Sequence, residues 1–576
     1  MENNNSNLGL KNNSKFLKKI FFPALFPNII IVLGEIINVF VQGVLVGQKI
    51  GDYGLQAVNQ TLPIYLILCT IGSLFAAGSS YLSSIRFGKK DKIGAQRVLG
   101  SVLWILFLIS AIVCVVGYFV SPWIAILIST EQTYEHVFAL TKLIFIGGIF
   151  KTMLYISYFY LRLEGKNFKL MFSMLIMTIF NIVFGYIFMF VLNLGIEGAG
   201  WASVVGTGVG CIISYIFLFT GKSNFKFKLS LPIKKDIKGI FKFGSPIALD
   251  NILSAIEILA INLILQSTGI VSLLTIFAVV SNVSELSMCV QEGVPQTASS
   301  MTSVLRGERD SNSVKKLLNI QLITGLVLST TFAIVFSSCS VPIINLFGSE
   351  IDCTVAIICF SVSLIFATFN NTMSYYYNAT SRIKFSNIII CCRIGISILG
   401  FLIFANILKE NVWVVFLITE VLTSIIFLCC SLIVSRKPNI SKFYLLDESF
   451  EKSGKDISFT VECDNNQICD ASEKILRFCS ENGFEKKKAN TVSLAIEEML
   501  TIISQKSLMG NGTIDVRVMI SNEKGLIRIR SSGKQYNPFE IMDETLDYMG
   551  VKMIFKLATN IEYLSVLKVN TLVISI

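Results

Sequence analysis

Residues 98–120 read VLGSVLWILFLISAIVCVVGYFV, a run of 23 residues without a charged side chain. A helix of about 20 apolar residues, rising 1.5 Å per residue, is long enough to cross the hydrocarbon core of a bilayer. Basic residues from Arg86 to Arg97 precede the run, and the acidic residues Glu131 and Glu135 follow it. The stretch therefore predicts a membrane-spanning helix with one positively charged end.

Runs of the same kind occur along most of the 576-residue chain, in which 53% of residues are hydrophobic and only 15% are charged. This composition is typical of a polytopic membrane protein rather than of several soluble domains. We expect an all-α membrane protein with twelve spanning helices, followed by a C-terminal α/β domain. The expected spans are residues 28–48, 60–84, 98–120, 137–160, 170–192, 198–220, 245–267, 270–293, 317–339, 352–377, 385–407 and 412–434.

Basic side chains concentrate in every second connection between these helices. The N-terminal arm and the even-numbered loops hold about 25 Lys and Arg residues, whereas the odd-numbered loops hold about two, Lys49 and Lys409. Loops rich in Lys and Arg stay on the cytoplasmic side of a membrane. The sequence therefore predicts a multi-pass protein of the plasma membrane with both termini in the cytoplasm.

The chain repeats itself at an offset of 219 positions. Phe26-Pro27 and Ser245-Pro246 open the first and seventh helices, and Gly88-Lys89-Lys90-Asp91 corresponds to Gly307-Glu308-Arg309-Asp310. In secondary transporters, a parallel repeat of six helices places the substrate cavity between two bundles. The expected parts are an arm at 1–22, bundles at 23–220 and 245–435, a basic linker at 221–244, a linker at 436–454 and a domain at 455–576.

Two counts exclude other classes of protein. Residues 441–576 carry about 17 basic and 19 acidic side chains, whereas a nucleic-acid-binding domain needs a basic surface. His136 is the single histidine of the chain, so His-ligated metal sites and Ser-His-Asp triads lack the histidine they need unless His136 supplies it. We expect no nucleic-acid partner, no metal site and no catalytic residue.

Charged residues interrupt several of the apolar runs. Glu35 and Glu257 lie 8 and 11 residues after the repeat-related prolines, so both can face a cleft between the bundles. A carboxylate there can take up a proton or bind Na⁺, and the same charge attracts a cationic substrate. The alternatives are a structural ion pair and a side chain that reaches the headgroups. The other intramembrane charges are Glu285, Glu292, Glu420, Lys142, Lys151 and Arg393.

Several short motifs in this part resemble the MATE family of multidrug and toxic-compound exporters. They are Gln42-Gly43-Val44-Leu45-Val46-Gly47, Ala57-Val58-Asn59, Ala77-Gly78-Ser79-Ser80, Asn181-Ile182-Val183-Phe184-Gly185 and Gly195-Ile196-Glu197-Gly198-Ala199-Gly200-Trp201-Ala202. The resemblance covers about residues 20–435 and implies a secondary active exporter of lipophilic, cationic compounds by antiport with H⁺ or Na⁺. The family usually has Asp at the positions of Gln42 and Gly185, so Glu35 is the substitute expected for the first. The expected ion-coupling and cavity residues are Glu35, Asn38, Gln42, Glu257 and Glu420.

The polar tail has a mixed α/β pattern. Strands are expected at 457–461, 514–520, 526–530 and 571–576, and helices at 471–480, 490–505 and 551–558. The tail resembles the histidine-kinase-like ATPase domain of bacterial anti-sigma factor serine kinases. The resemblance rests on Leu494-Ala495-Ile496-Glu497-Glu498-Met499-Leu500-Thr501, Ser531-Ser532-Gly533-Lys534-Gln535-Tyr536-Asn537-Pro538 and Met549-Gly550-Val551. It implies that Glu498 is the acid/base glutamate and that Gly533 and Gly550 lie in nucleotide-cradling segments.

Three departures from that family remove groups that hold the nucleotide. Ile502 stands where the family has the Mg²⁺-holding Asn, Ser531 where it has the adenine-reading Asp, and Tyr548 where it has a phosphate-loop Gly. An apolar side chain cannot ligate a hard cation such as Mg²⁺. We therefore expect a degenerate nucleotide site without ATPase or kinase activity, and no cofactor beyond the coupling ion. Such a tail would act by contact, by docking on the basic loops or by binding a cytoplasmic regulatory protein.

Two other functions are left open. The chain could be a flippase for a lipid-linked substrate, for which clustered Arg and Lys in the cavity are expected. It could also be a membrane signalling protein with a serine-kinase-like tail, which needs Mg-ATP. The leading prediction is a non-enzymatic transporter whose partners are the lipid bilayer and a small-molecule substrate.

Overall fold

The computed structural model describes most of the chain. The described residues are 14–88, 92–164, 166–220, 226, 228, 230, 231, 233–307, 310–349, 351–380, 382–407, 411–436, 440–447, 454–521, 524–539, 549–566 and 569–576. They include twelve helical stretches that are long and apolar enough to cross a membrane, in agreement with the number expected from the sequence.

The membrane part consists of helices joined by turns and irregular connections in its described residues. A short π-helical turn, Ile187–Val191, follows α5. The helices are α1 Ser14–Ile50, α2 Asp52–Gly88, α3 Lys92–Ile128, α4 Tyr134–Leu163, α5 Asn167–Tyr186, α6 Gly195–Phe219, α7 Lys234–Ser267, α8 Val271–Gln291, α9 Gly293–Gly307, α10 Ser311–Ser338, α11 Ser340–Phe347, α12 Thr354–Ala379, α13 Ile383–Ile407 and α14 Val414–Val434.

The observed helices differ from the expected spans at three places. Helix α1 begins at Ser14, so part of the predicted arm at 1–22 is helical. Helix α9 continues the eighth span, whose apolar stretch runs from Val271 to Ser299. Helix α11 is a segment of eight residues, about two turns, between the ninth and tenth spans. Both extra helices are too short or too polar to stand out in a search for 20-residue apolar runs.

Glycines bring the backbones of α2 and α7 into direct contact. A Cβ atom at Gly78 would lie 2.1 Å from the carbonyl oxygen of Ile240, and one at Gly244 would lie 2.0 Å from that of Leu74. Small residues permit this approach between helices in a membrane, where packing contacts supply much of the association energy. The contact joins a helix of the first six spans to a helix of the last six.

The described residues form two compact units. The membrane unit comprises Leu25–Ser299 and Gln321–Cys429, and the tail unit comprises Met1–Ala24, Ser300–Ile320 and Cys430–Ile576. The tail unit thus includes segments close to the starts of α1 and α10 in addition to the C-terminal domain.

The C-terminal domain is an antiparallel sheet with helices. Its strands are β1 Lys455–Glu462, β2 Thr513–Ser521, β3 Lys524–Ser531, β4 Asn560–Val566 and β5 Val569–Ser575, in the spatial order β1-β2-β3-β5-β4. Its helices are α15 Asn465–Glu481, α16 Lys486–Ile502 and α17 Met549–Leu557. Strand β4 was missed because the sequence of Asn560–Val566 directly follows a helical pattern and mixes polar with apolar residues.

One face of this sheet packs on the helices. Alternate residues of β2, including Ile514 and Val516, join Ile475 and Ile496 of the helices in one buried cluster. Successive side chains of a strand point to opposite faces of the sheet. Asp515 and Arg517 of β2 therefore lie on the other face.

Candidate transport site

A cavity opens among the first six spanning helices. Its empty space is about 880 Å³, counted with the part open to solvent, and its lining comes from α1, α2, α4, α5 and α6. The polar lining residues that bear on its chemistry are Gln42, Thr61, Tyr65, Lys151, Asn181 and Thr207. Its mainly apolar wall with a few polar groups is typical of small-molecule sites.

Lys151 is the one charged side chain among the described residues that line this cavity. Its Nζ atom lies 4.9 Å from the ring centroid of Tyr65 and 5.4 Å from that of Tyr155. Two aromatic faces stabilise the ammonium group by cation–π contact. Glu285 of α8 also interacts electrostatically with Lys151. Among the described lining residues the only charge is thus basic, whereas the sequence led us to expect a carboxylate, Glu35, near Gln42.

A second polar centre lies among the last six spanning helices and is rich in carboxylates. Arg393 of α13 forms an ion pair with Glu420 of α14, with 2.7 Å between Nε and Oε1. Glu257 and Asp250 of α7 are close enough to interact electrostatically with the same guanidinium group. Ser397, one helical turn after Arg393, hydrogen-bonds the Glu257 side chain. Three carboxyl groups thus converge on one arginine.

Amide side chains extend this centre on both sides. Asn370 of α12 donates to Oε2 of Glu420 over 2.8 Å. Asn371, the next residue, accepts from Arg393 over 3.1 Å and donates to Gln291 of α8 over 3.0 Å. Polar side chains in a membrane interior are satisfied in this way by one another. The network connects α7, α8, α12, α13 and α14 through protonatable or ion-binding groups.

The structure brings together only part of the site expected from the sequence. Glu257 and Glu420 share the centre around Arg393, whereas Gln42 lines the other cavity. The side chains of Glu35 and Asn38 lie outside the described residues, although both positions belong to α1. Their assignment therefore stays a prediction.

Asp250 was missed in the sequence, although one signal could have found it. It lies seven residues before Glu257 on α7, which places both side chains on the same helix face. Asn370 and Asn371 carry no such signal, because uncharged amides are common in spanning helices. The Nζ atom of Lys142 lies 5.1 Å from the ring centroid of Tyr118, which gives this ammonium group an aromatic neighbour.

The tail residues for which the resemblance implied a nucleotide site make contacts within the domain. The Oε2 atom of Glu498 accepts the backbone N–H of Val551 over 3.0 Å, so this carboxylate stabilises the first turn of α17. Ile502 is buried in the domain core. A Cβ atom at Gly533 would lie 2.4 Å from the Ser507 carbonyl oxygen, and the Lys534 N–H donates to that oxygen. Gly550 lies in the first turn of α17, and Tyr548 is outside the described residues.

Comparisons with known proteins identify similar transporters for the membrane part of the chain. Residues 23–187 match the family model MatE. The chain is 25% identical over 336 residues to multidrug export protein MepA of Staphylococcus saprophyticus, which covers 57% of this chain and 72% of the relative. It is 26% identical over 259 residues to MepA of Staphylococcus aureus strain MRSA252, and this match spans 56% of the relative's length.

Solved structures of similar fold cover the same region. One is the inward-facing conformation of a multidrug resistance MATE family transporter of the MOP superfamily, with a TM-score of 0.62, 19% identity and coverage of 69% of this chain and 94% of that one. Another is a MOP superfamily transporter from Pyrococcus furiosus described as having a binding pocket of reverse polarity, with a TM-score of 0.60, 19% identity and coverage of 73% and 97%. The membrane part of this chain therefore has the fold of the MATE multidrug transporters, and its first helices carry the sequence pattern of that family.

Proposed function

We propose that this chain exports lipophilic compounds across the plasma membrane by antiport with H⁺ or Na⁺, with both termini in the cytoplasm. The observation that carries the proposal is the convergence of Asp250, Glu257 and Glu420 on the single basic residue Arg393. One guanidinium group neutralises one of the three carboxylates. The remaining acidic groups can take up protons or supply oxygen ligands to Na⁺.

Alternating access gives this centre its role. A transporter of this plan exposes its cavities to one side of the membrane and then to the other. A cation bound at the carboxylates stabilises the conformation that binds it better, and the substrate stabilises the other. Exchange of the two ligands then couples the downhill movement of the cation to the export of the compound.

Coupling to Na⁺ and coupling to H⁺ require different groups at the centre around Arg393. A proton needs only a carboxylate whose ionised form is disfavoured, whereas Na⁺ needs several oxygen atoms at once. Glu257, Ser397 and Asp250 offer such oxygen atoms on neighbouring helices. Either ion is compatible with the groups present, and the imposed gradient in a transport assay distinguishes them.

The charge of the substrate is tested separately, because the cavity at Lys151 carries a basic residue whereas the centre around Arg393 has an excess of carboxylates. The carboxylate centre suits the cationic compounds that the resemblance implies. Lys151 in the first cavity instead favours a compound with an acidic group, or the phosphate of a lipid-linked substrate. One basic residue among the described lining residues is fewer than the cluster expected of a lipid-phosphate flippase, so export of a lipophilic compound is the better-supported function.

The experiment is transport in proteoliposomes with an imposed pH or Na⁺ gradient, using matched cationic and anionic fluorescent amphiphiles. Glu257→Gln removes a titratable group with little change of volume and should reduce gradient-driven transport to the level without a gradient. Glu197→Gln is the matched control, since this carboxylate lies exposed in the first turn of α6. Gradient-driven transport at the parental rate by Glu257→Gln would contradict the proposal.

The tail domain is proposed as a non-enzymatic accessory domain. Glu498, the remnant acid/base residue, is engaged by the N-terminus of α17, and Ile502 lies in the core where a metal ligand would be needed. Its action then depends on what it contacts, either a regulatory protein or another part of this chain.

A further inference from the structure

The outer face of the tail sheet carries buried charges. Arg517 of β2 is paired in register with Arg528 of β3, and Asp515 of β2 is paired with Arg530 of β3. These four side chains lie on the sheet face opposite the helices, where solvent would be expected. Each of the four residues is nevertheless at most 2% exposed. Charged side chains reach such burial only when they are paired.

Asp310 supplies the missing partner for these arginines. Its carboxylate lies 3.3 Å from Arg517 Nη1 and 3.3 Å from Arg530 Nη2, and it also forms an ion pair with Arg528. Asp515 lies 3.0 Å from Arg528, and Asp456 of β1 lies 3.1 Å from Arg517. Three arginines therefore face three aspartates. Asp310 belongs to the loop before α10, more than 200 residues from its partners in sequence.

The same carboxylate caps a membrane-spanning helix. Oδ1 of Asp310 accepts the backbone N–H of Ser313 over 3.1 Å, which satisfies a free donor in the first turn of α10. Nearby, the Tyr444 hydroxyl donates to Asn319 of α10 over 3.2 Å. The tail arginines thus bind the carboxylate that caps the N-terminal end of α10.

The tail also contacts the start of α1. Lys15 Nζ lies 2.9 Å from Glu462 Oε1 at the end of β1, and this pair is exposed. An exposed pair contributes little to stability, whereas the buried cluster at Asp310 is hard to open. The tail therefore contacts a helix of the first six spans and a helix of the last six, and the stronger contact is the buried one at α10. The sequence suggested that acidic groups of the tail dock on basic segments of the membrane part. The pair of Lys15 with Glu462 has this arrangement of charge, whereas at Asp310 the basic groups belong to the tail domain and the acidic group to the loop before α10.

We infer that the tail domain is an intramolecular brake, docked through Arg517, Arg528 and Arg530 on the Asp310-capped end of α10, which slows transport until this contact opens. Alternating access needs the two sets of six helices to move relative to each other. A domain that holds α1 and α10 together opposes that movement. Release of the arginines from Asp310 frees α10 without any chemical step in the tail.

Asp310→Asn in the full chain tests this inference. Asparagine caps a helix as well as aspartate does, so the variant removes the charge and keeps the cap of α10. We expect the initial transport rate in proteoliposomes to rise about threefold or more. Arg528→Gln should act in the same direction from the other side of the contact. Asp352→Asn and Arg477→Gln are matched controls, because both residues are exposed.

Chemical labelling separates release of the tail from its unfolding. An arginine-modifying reagent should leave Arg517, Arg528 and Arg530 unmodified in the parent and modify them in Asp310→Asn. Cys479, buried in the tail core, should stay protected from a thiol reagent in both proteins. The inference is overturned if the arginines stay protected, if they become labelled without a faster rate, or if Cys479 becomes reactive and the contact is thereby shown to serve folding.

Discussion

Gln56 of α2 donates a hydrogen bond to Thr275 of α8 over 2.9 Å, and the two residues are 219 positions apart. This separation equals the offset at which the sequence repeats. A residue can touch its own counterpart in a two-fold arrangement only near the symmetry axis. The contact supports the proposal that the twelve spans form two repeats around an axis between α2 and α8.

Removal of either partner should leave a buried polar group unpaired. Gln56 is 2% exposed and Thr275 is fully buried, so Gln56→Leu or Thr275→Val should each cost about 1–3 kcal/mol. The double variant should cost less than the sum of the two, because the orphaned group is then gone. Thermal unfolding of the four proteins in detergent measures this. Additive losses would show that the two side chains do not interact.

The glycine contact between α2 and α7 should tolerate no side chain. Gly78→Ala places a Cβ atom against the Ile240 backbone, which cannot move without separating the helices, so both stability and transport should fall. Gly395→Ala on α13 is the control, because no atom lies within 4 Å of its added Cβ. Equal behaviour of the two variants in transport and thermal unfolding would refute the close approach.

Replacement of Glu420 should reduce stability, whereas replacement of Glu257 should abolish ion coupling. Glu420→Gln removes the carboxylate that pairs directly with Arg393 and should lower stability, with Glu257 and Asp250 offsetting part of the loss. Glu257→Gln removes one of the excess carboxylates and should spare stability while abolishing coupling. Detergent unfolding and gradient-driven transport of both variants separate the two roles. A destabilised Glu257→Gln with an intact Glu420→Gln would reverse this assignment.

The contact at Asp310 should persist across the physiological pH range. Burial raises the pKa of the neighbouring Asp515, but a protonated Asp515 leaves Arg528 and Arg530 to pair with Asp310. Burial raises the pKa of Asp310, but the guanidinium groups of Arg528, Arg530 and Arg517 outweigh it and hold the pKa well below its usual range. A lowered pKa means that the contact is complete above the ordinary value of about 3.9 and is lost only as the pH falls through the lowered value.

The ratio of the Asp310→Asn rate to the parental rate should therefore stay constant from about pH 8 to about pH 5. Transport rates of the two proteins, measured side by side at several pH values without an imposed gradient, check this. A ratio that falls to one near neutral pH would show that protonation of another group opens the contact.

The sequence was informative where the signal is local. Uncharged runs such as 98–120 predicted the spans, because bilayer thickness sets the length of a helix. Glu257 and Glu420 were singled out because charges are rare inside such runs, and their role stays a prediction. Helix α9 and strand β4 were missed, since neither has a pattern that differs clearly from its neighbours.

Contacts between distant residues could not be predicted in this way. Arg517, Arg528 and Arg530 occupy alternate positions of two strands, which is also the pattern of an ordinary solvent-facing sheet. Only folding brings them to Asp310. The convergence of Asp250 and Glu257 on Arg393 likewise depends on the packing of α7 against α13, which no local pattern encodes.

The most direct test of the proposed antiport follows ion movement and substrate export in the same vesicles. Proteoliposomes without an imposed gradient are loaded with a lipophilic substrate and with a dye for H⁺ or Na⁺. Linkage requires that substrate moving one way drives the coupling ion the other way. The account predicts such an ion flux with the parent and none with Glu257→Gln. Substrate movement by the parent without H⁺ or Na⁺ counterflow would contradict it.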